Sequence, residues 1–167
     1  MPSTFRALAG IAALLLASPA IDAQGVVMER NVSLGMAKTI AEAALAACKD
    51  KGYHVSIAVV DRAGQVMVIL RDEQAAAQTT EMARRKAYTA RMFRTTTLEF
   101  QKRTMDPAFA PQRNVADILA LGGGVPIAYG KEIIGGVGSS GSSQEQDDAC
   151  AKAGVAAVAE QLKPSGQ

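Results

Sequence analysis

Apolar residues recur at helical spacing in some stretches of the chain and run without interruption in others, and that contrast sets out its elements. Ala37, Ile40, Ala41, Ala44, Leu45 and Cys48 fall on one helical face. The spacing predicts a helix capped by Ser33, running to about Lys51 and stopped by Gly52. Tyr53–Val60 is apolar on both faces, Asp61-Arg62-Ala63-Gly64 makes a turn, and Gln65–Leu70 pairs back. A hairpin apolar on both sides needs cover on both faces of its sheet. Thr79–Phe93 is the next helix, with Met82, Ala83, Ala87, Ala90 and Phe93 inward and Arg84, Arg85, Tyr88 and Arg91 outward. Lys86 falls inside that apolar stripe. Charged residues are rarely buried unpaired, so Lys86 either snorkels at the edge, pairs with Asp61 or Asp72, or points into a pocket.

Thr95–Pro111 is the least regular stretch. Thr95-Thr96-Thr97 can cap a short helix through Lys102, and Pro107 and Pro111 then force a loop. Asn114–Leu121 reads as a short apolar turn or helix. A second hairpin follows: Gly122-Gly123-Gly124 breaks the chain, Val125–Tyr129 is a strand, Gly130-Lys131 turns, and Glu132–Val137 returns. Gly135, Gly136 and Gly138 strip that returning strand, which points to a packed helix or a bulge as the plainer reading and a flat ligand close to the backbone as the other. Ser143 and Gln146 form a capping box for a last helix, Gln144–Leu162. Gly136–Gly141 also fits the dinucleotide pattern G-x-G-x-x-G, but only one helix follows, and Glu145, Asp147 and Asp148 at its start would repel a pyrophosphate.

The order helix, hairpin, helix with loop, hairpin, helix predicts an α+β (α/β) domain: an antiparallel sheet with helices on both faces, the first and last side by side on one of them. Residues 1–23 stand apart. Phe5-Arg6 precedes an apolar run of about 11 residues, Ala7–Ala17, and small residues then offer cleavage sites. This is the pattern of a secretory signal, too short to span a bilayer at about 20 residues, and it implies a single secreted or periplasmic domain over 24–167 with no membrane insertion after cleavage. Loss of Arg6 and Asp22 keeps the net charge at +2, with no basic stripe for nucleic acid. Cys48 and Cys150 would lie level if the first and last helices run antiparallel, and an oxidising compartment allows a disulfide. Two separate buried thiols are the alternative, favoured by how often cysteine is simply buried.

The chemical inventory is short. One histidine rules out a His-cluster zinc site, two distant cysteines a thiolate one, and no serine-nucleophile elbow occurs. Haem asks for less: an apolar slot, one ligand and cations for its propionates. His54, beside the small Ser56 and Ala58, is a candidate ligand, although nothing adjacent in sequence selects its tautomer and a half-buried strand histidine is the plainer reading. Methionine, tyrosine and cysteine ligands also stay open.

The runs VSIAVVDRAGQVMVILRD, ARRKAYTARMF, GGGVPI, IIGGVGSSG and EQDDACAKAGVAAV resemble the GlcG/HbpS-like family of haem-binding proteins, which includes the carboxy-terminal domain of PduO-type proteins. The resemblance spans 24–167. It implies a profilin-like α/β/α sandwich, homo-oligomerisation and, in some members, haem binding or iron-dependent haem degradation. It aligns Arg71 with a strand-end arginine, Lys86, Thr89 and Phe93 with the helix motif, and Gly136, Gly138 and Asp147 with the terminal glycine-rich motif. The site expected from residues and resemblance together is a slot between the glycine strand and the Lys86 helix. Gly136, Gly138, Thr89 and Phe93 form its walls, Lys86 and Arg71 meet the carboxylates, and His54 is the candidate ligand. A haem-binding or haem-processing protein is one function class. An exported, non-enzymatic oligomer that binds another small anionic metabolite or a partner protein is the other.

Overall fold

The computed structural model describes residues 25–164; the signal segment read at 1–23 lies outside them. Four helices and four strands follow one another as α1 (Leu34–Lys49), β1 (Ser56–Val60), β2 (Val66–Arg71), α2 (Thr79–Phe93), α3 (Thr97–Arg103), β3 (Gly124–Tyr129), β4 (Glu132–Ser140) and α4 (Gln144–Ala156). Both hairpins belong to one antiparallel sheet of order β2-β1-β4-β3. The helices α1 and α4 pack against each other on one face, and α2 covers the other. This is the sandwich the element order implies.

Side-chain caps start three of the four helices, and α2 begins without one. The hydroxyl of Ser33 accepts from the Met36 amide, Thr96 from Glu99 and Ser143 from Gln146, each satisfying a donor the helix leaves free. Gly52, at φ +77°, takes the left-handed turn that leads α1 into the sheet. α4 is shorter than its expected Gln144–Leu162 span, and the chain tightens into a 3-10 turn over Ala159–Leu162. β4 runs three residues further than Val137, to Ser140. Residues 115–121 form no regular element; a 3-10 turn, Ala110–Asn114, precedes them with Pro111 inside its first turn.

β1 is buried along its whole length, as its two-sided apolarity requires. β2 is an edge strand and is only partly covered, with Val66 and Ile69 exposed. The main core lies between the sheet and the α1–α4 pair, where Ile57, Val59, Ile127 and Val137 meet Ile40, Ala41, Ala44 and Ala151. On the other face Ala58 and Val60 meet Ala83 and Ala87 of α2. Cys48 and Cys150 form a disulfide with their Cα atoms 5.5 Å apart, not the two separate thiols favoured above. The pairing of α1 with α4 holds the end of one against the middle of the other, which brings both sulfurs to one level.

Candidate functional site

The glycines of β4 have an unambiguous neighbour. A Cβ on Gly136 would land on the carbonyl oxygen of Ala87, one on Gly138 on that of Ala83, and one on Gly124 in β3 on that of Lys86. The helix α2 therefore lies directly on the sheet, and no slot separates them. This corrects the expected site. The helix fills the space that the missing side chains of Gly136 and Gly138 leave. Thr89 is fully buried, donating to the Arg85 carbonyl and accepting from the Leu119 amide. Phe93 stacks at 4.3 Å on Phe100, with Arg103 over both rings.

Lys86 is 1% exposed and neither snorkels nor pairs with Asp61 or Asp72. Its ammonium passes the end of the sheet and donates to Asp147 Oδ2 and to the Ser139 carbonyl, both at 2.9 Å. The path is open because Gly123, at φ +119°, has no side chain; a Cβ there would lie 3.0 Å from Lys86 Nζ. The other carboxylate oxygen of Asp147 accepts from the Ser142 amide and hydroxyl. Burial lowers the Lys86 pKa from its ordinary value, and Asp147 opposes that shift. An ammonium has three donors. Two are used, and Lys86 also lines a cavity.

That cavity, of about 540 Å³, opens where β1 begins and β4 ends. Lys86 and Asp147 lie at its floor, Tyr53 and His54 form one wall, Gln78, Thr79 and Met82 of the α2 start another, and Ser140, Ser142 and Gln144 a third. Of the seven expected site residues it gathers two, His54 and Lys86. Arg71 stays nearby on β2 with its guanidinium bound to the Ala75 carbonyl at 2.6 Å.

His54 has the tautomer-selecting partner that its sequence neighbours lacked. Its Nδ1 lies 2.9 Å from Asp72 Oδ1, and the Asp72 carboxylate is 2% exposed while the imidazole is 39% exposed. Asp72 Oδ1 also accepts from the Gln74 amide at 2.9 Å, and Lys49 stands 3.8 Å from the other oxygen. The Gln74 hydrogen bond first, then His54, holds the Asp72 carboxyl below its usual range. An ionised Asp72 accepts Nδ1–H and leaves the Nε2 lone pair free. The sequence offered Asp72 as a possible partner for Lys86, not for His54; its contact with His54 needs the β1–β2 register, which sets Ser56 opposite Arg71.

A family model described as "Haem degrading protein HbpS-like" matches residues 32–156. An uncharacterized 15.0 kDa protein in the dhaT-dhaS intergenic region of Citrobacter freundii is 32% identical over 120 residues, 70% of this chain and 84% of that one. Among solved structures, a double mutant of HbpS from Streptomyces reticuli is 32% identical, with a TM-score of 0.77 over 90% of this chain and 97% of its own. The complex of PduOC with heme is 28% identical, with a TM-score of 0.69 over 75% of this chain and 94% of its own.

Proposed function

This chain belongs to the HbpS-like family of haem-degrading proteins, and on that premise we propose that it binds haem in the cavity at the strand ends, with His54 Nε2 as the iron ligand. The His54–Asp72 pair carries the proposal. A carboxylate on one ring nitrogen fixes the ring and raises the basicity of the other, the arrangement found behind metal-bound histidines. The remaining requirements fit. A cavity of about 540 Å³ falls within the roughly 300–1,000 Å³ of small-molecule sites. The third donor of Lys86 at its floor and Arg71 beside it can meet carboxylates through charge-assisted hydrogen bonds, while Met82 and Leu121 supply apolar lining. Bound haem would supply an iron whose reactivity follows from its axial ligand and surroundings.

The test is a haemin titration followed in the Soret region. The wild type should give a sharp band at one haem per chain. His54→Ala should lose that band or weaken binding beyond tenfold, and Asp72→Asn should weaken it about 10–100-fold, the range for a ligand's supporting carboxylate. A His54→Ala titration that superimposes on the wild type would sink the assignment.

We also propose that the protein is exported and self-associates. The 1–23 pattern and the Cys48–Cys150 bond support export, since disulfides persist in oxidising compartments. The exposed Val26, Val27 and Met28 support self-association. Amino-terminal sequencing of the exported fraction should begin near Gln24, and an uncleaved cytosolic chain would contradict export. Sedimentation velocity should find no monomer at micromolar concentration; a monomer would contradict self-association.

A further inference from the structure

At the other end of the strands, α2 ends beside the turn between β3 and β4. There a second pocket of about 330 Å³ is lined by Arg62, Arg91, Arg94, Lys131, Glu132 and Ile133. Four of its six lining residues are cationic. Arg62 is neutralised, by Glu29 and by Glu132, and Glu132 also takes Arg30. Arg91, Arg94 and Lys131 have no carboxylate within ion-pair reach among the described residues. The nearby Asp61 is committed to the Gln65 amide through one oxygen.

Two observations set this pocket apart from an ordinary charged surface. Arg91 Nε is buried with no hydrogen-bond partner, and a buried unsatisfied donor is costly. Burial, then the charges of Arg62 and Arg94, lowers the Arg91 pKa, and Asp61 and Glu29 oppose this only in part. Arg94 holds φ at +55°, the left-handed position after a helix that normally belongs to glycine. A non-glycine residue there carries backbone strain. Its effect is to hold a third guanidinium against the other two.

We propose that this pocket binds a small tetrahedral oxyanion, inorganic phosphate or a phosphate monoester, between Arg91, Arg94 and Lys131. Planar guanidinium forks pair with phosphate oxygens two at a time, and an ammonium adds a point charge from the turn. The anion would pair with the Arg91 guanidinium and relieve the repulsion among the cations. The site is separate from the haem cavity: Thr79 and Arg91 stand about 18 Å apart along α2 at 1.5 Å per residue.

The full chain is titrated with inorganic phosphate, methyl phosphate and succinate by calorimetry at low chloride, with amide shifts mapped by NMR. Inorganic phosphate should move the amides around Arg91, Arg94 and Lys131. Equal binding of methyl phosphate would assign the ester class, tighter binding of inorganic phosphate the free ion, and equal binding of succinate would overturn the tetrahedral preference. Arg94→Gly should weaken phosphate binding at least tenfold without lowering the thermal midpoint, because it relieves the strained backbone. Arg91→Gln should weaken it as much, and Lys38→Gln, on the exposed face of α1, should leave it unchanged. Affinities of Arg94→Gly and Arg91→Gln within twofold of wild type would overturn the site, as would an equal loss in Lys38→Gln. A shift in sedimentation without a change in phosphate affinity would instead make the pocket a contact between copies. His54→Ala should keep phosphate binding intact, so the haem reading and this one fail independently.

Discussion

Lys86 reaches Asp147 only because Gly123 offers it room, and the pair ties α2 to α4 across the end of the sheet. Removing one partner of a buried pair strands the other charge. Lys86→Met should therefore destabilise the fold by about 3–5 kcal/mol, measured by urea unfolding, and adding Asp147→Asn should recover part of it. A loss below about 1 kcal/mol would remove the pair from the fold's support. Asp72 answers to pH instead. Its carboxyl is held below its ordinary value near 3.8, so the folded state favours the ionised form. That contribution is present above pH 3.8 and is lost as pH falls through the lower folded value. The stability gap between wild type and Asp72→Asn should close as pH falls below about 4; a gap that stays fully open in strong acid would contradict the assignment. At this scale the sequence was half legible. Lys86 stood out as a break in an apolar stripe, but its partner lies 61 residues on in the opposite layer. Likewise His54 showed no partner because Asp72, 18 residues away, meets it only through strand pairing.

Elements were easier to read where local chemistry fixes their ends. Caps at Ser33, Thr96 and Ser143 and the left-handed Gly52 marked three of the helices, the apolar stripe marked α2, and the Gly130 turn marked the second hairpin. Residues 105–121 have no hydrophobic period, so nothing local specified their path. The glycines of β4 signalled a close approach without saying whose, because a helix and a flat ligand ask the same of a backbone. Substitution separates their roles. Gly138→Ala drives a methyl into the Ala83 carbonyl and must push α2 off the sheet, at the upper end of the roughly 1–3 kcal/mol that overpacking costs. Gly35→Ala, in the first turn of α1, where a Cβ would meet nothing closer than the Ser33 hydroxyl at 4.0 Å, should stabilise by up to about 1 kcal/mol through helix propensity alone. Thermal midpoints of the two variants should move in opposite directions; a tolerated Gly138→Ala would mean that α2 does not rest on β4.

The disulfide acts on the molecule as a whole, since its ends are 102 residues apart. Closing so long a loop restricts the unfolded chain and stabilises the fold by about 4.7 kcal/mol in the chain-entropy account. Cys48→Ala with Cys150→Ala should lower the unfolding free energy by about 2–5 kcal/mol, and an unchanged value would mean the bond does not form in the protein. Its position matters as much as its length. Cys48 precedes the Tyr53–His54 wall of the cavity, and Cys150 follows Asp147 by one turn of α4. The Tyr53–His54 wall and the Asp147 floor are thus stitched to each other, while the Gln74–Gln78 segment at the rim, exposed except for Ala75, carries no such tether. One side of the cavity is cross-linked covalently, and the other is held by hydrogen bonds, Gln74–Asp72 and Arg71–Ala75 among them. Under the proposed haem reading, guest exchange should then proceed by lifting of Gln74–Gln78, with α1 and α4 staying shut. Amide hydrogen exchange should run faster there than along Ala37–Cys48, and bound haemin should slow the first without touching the second.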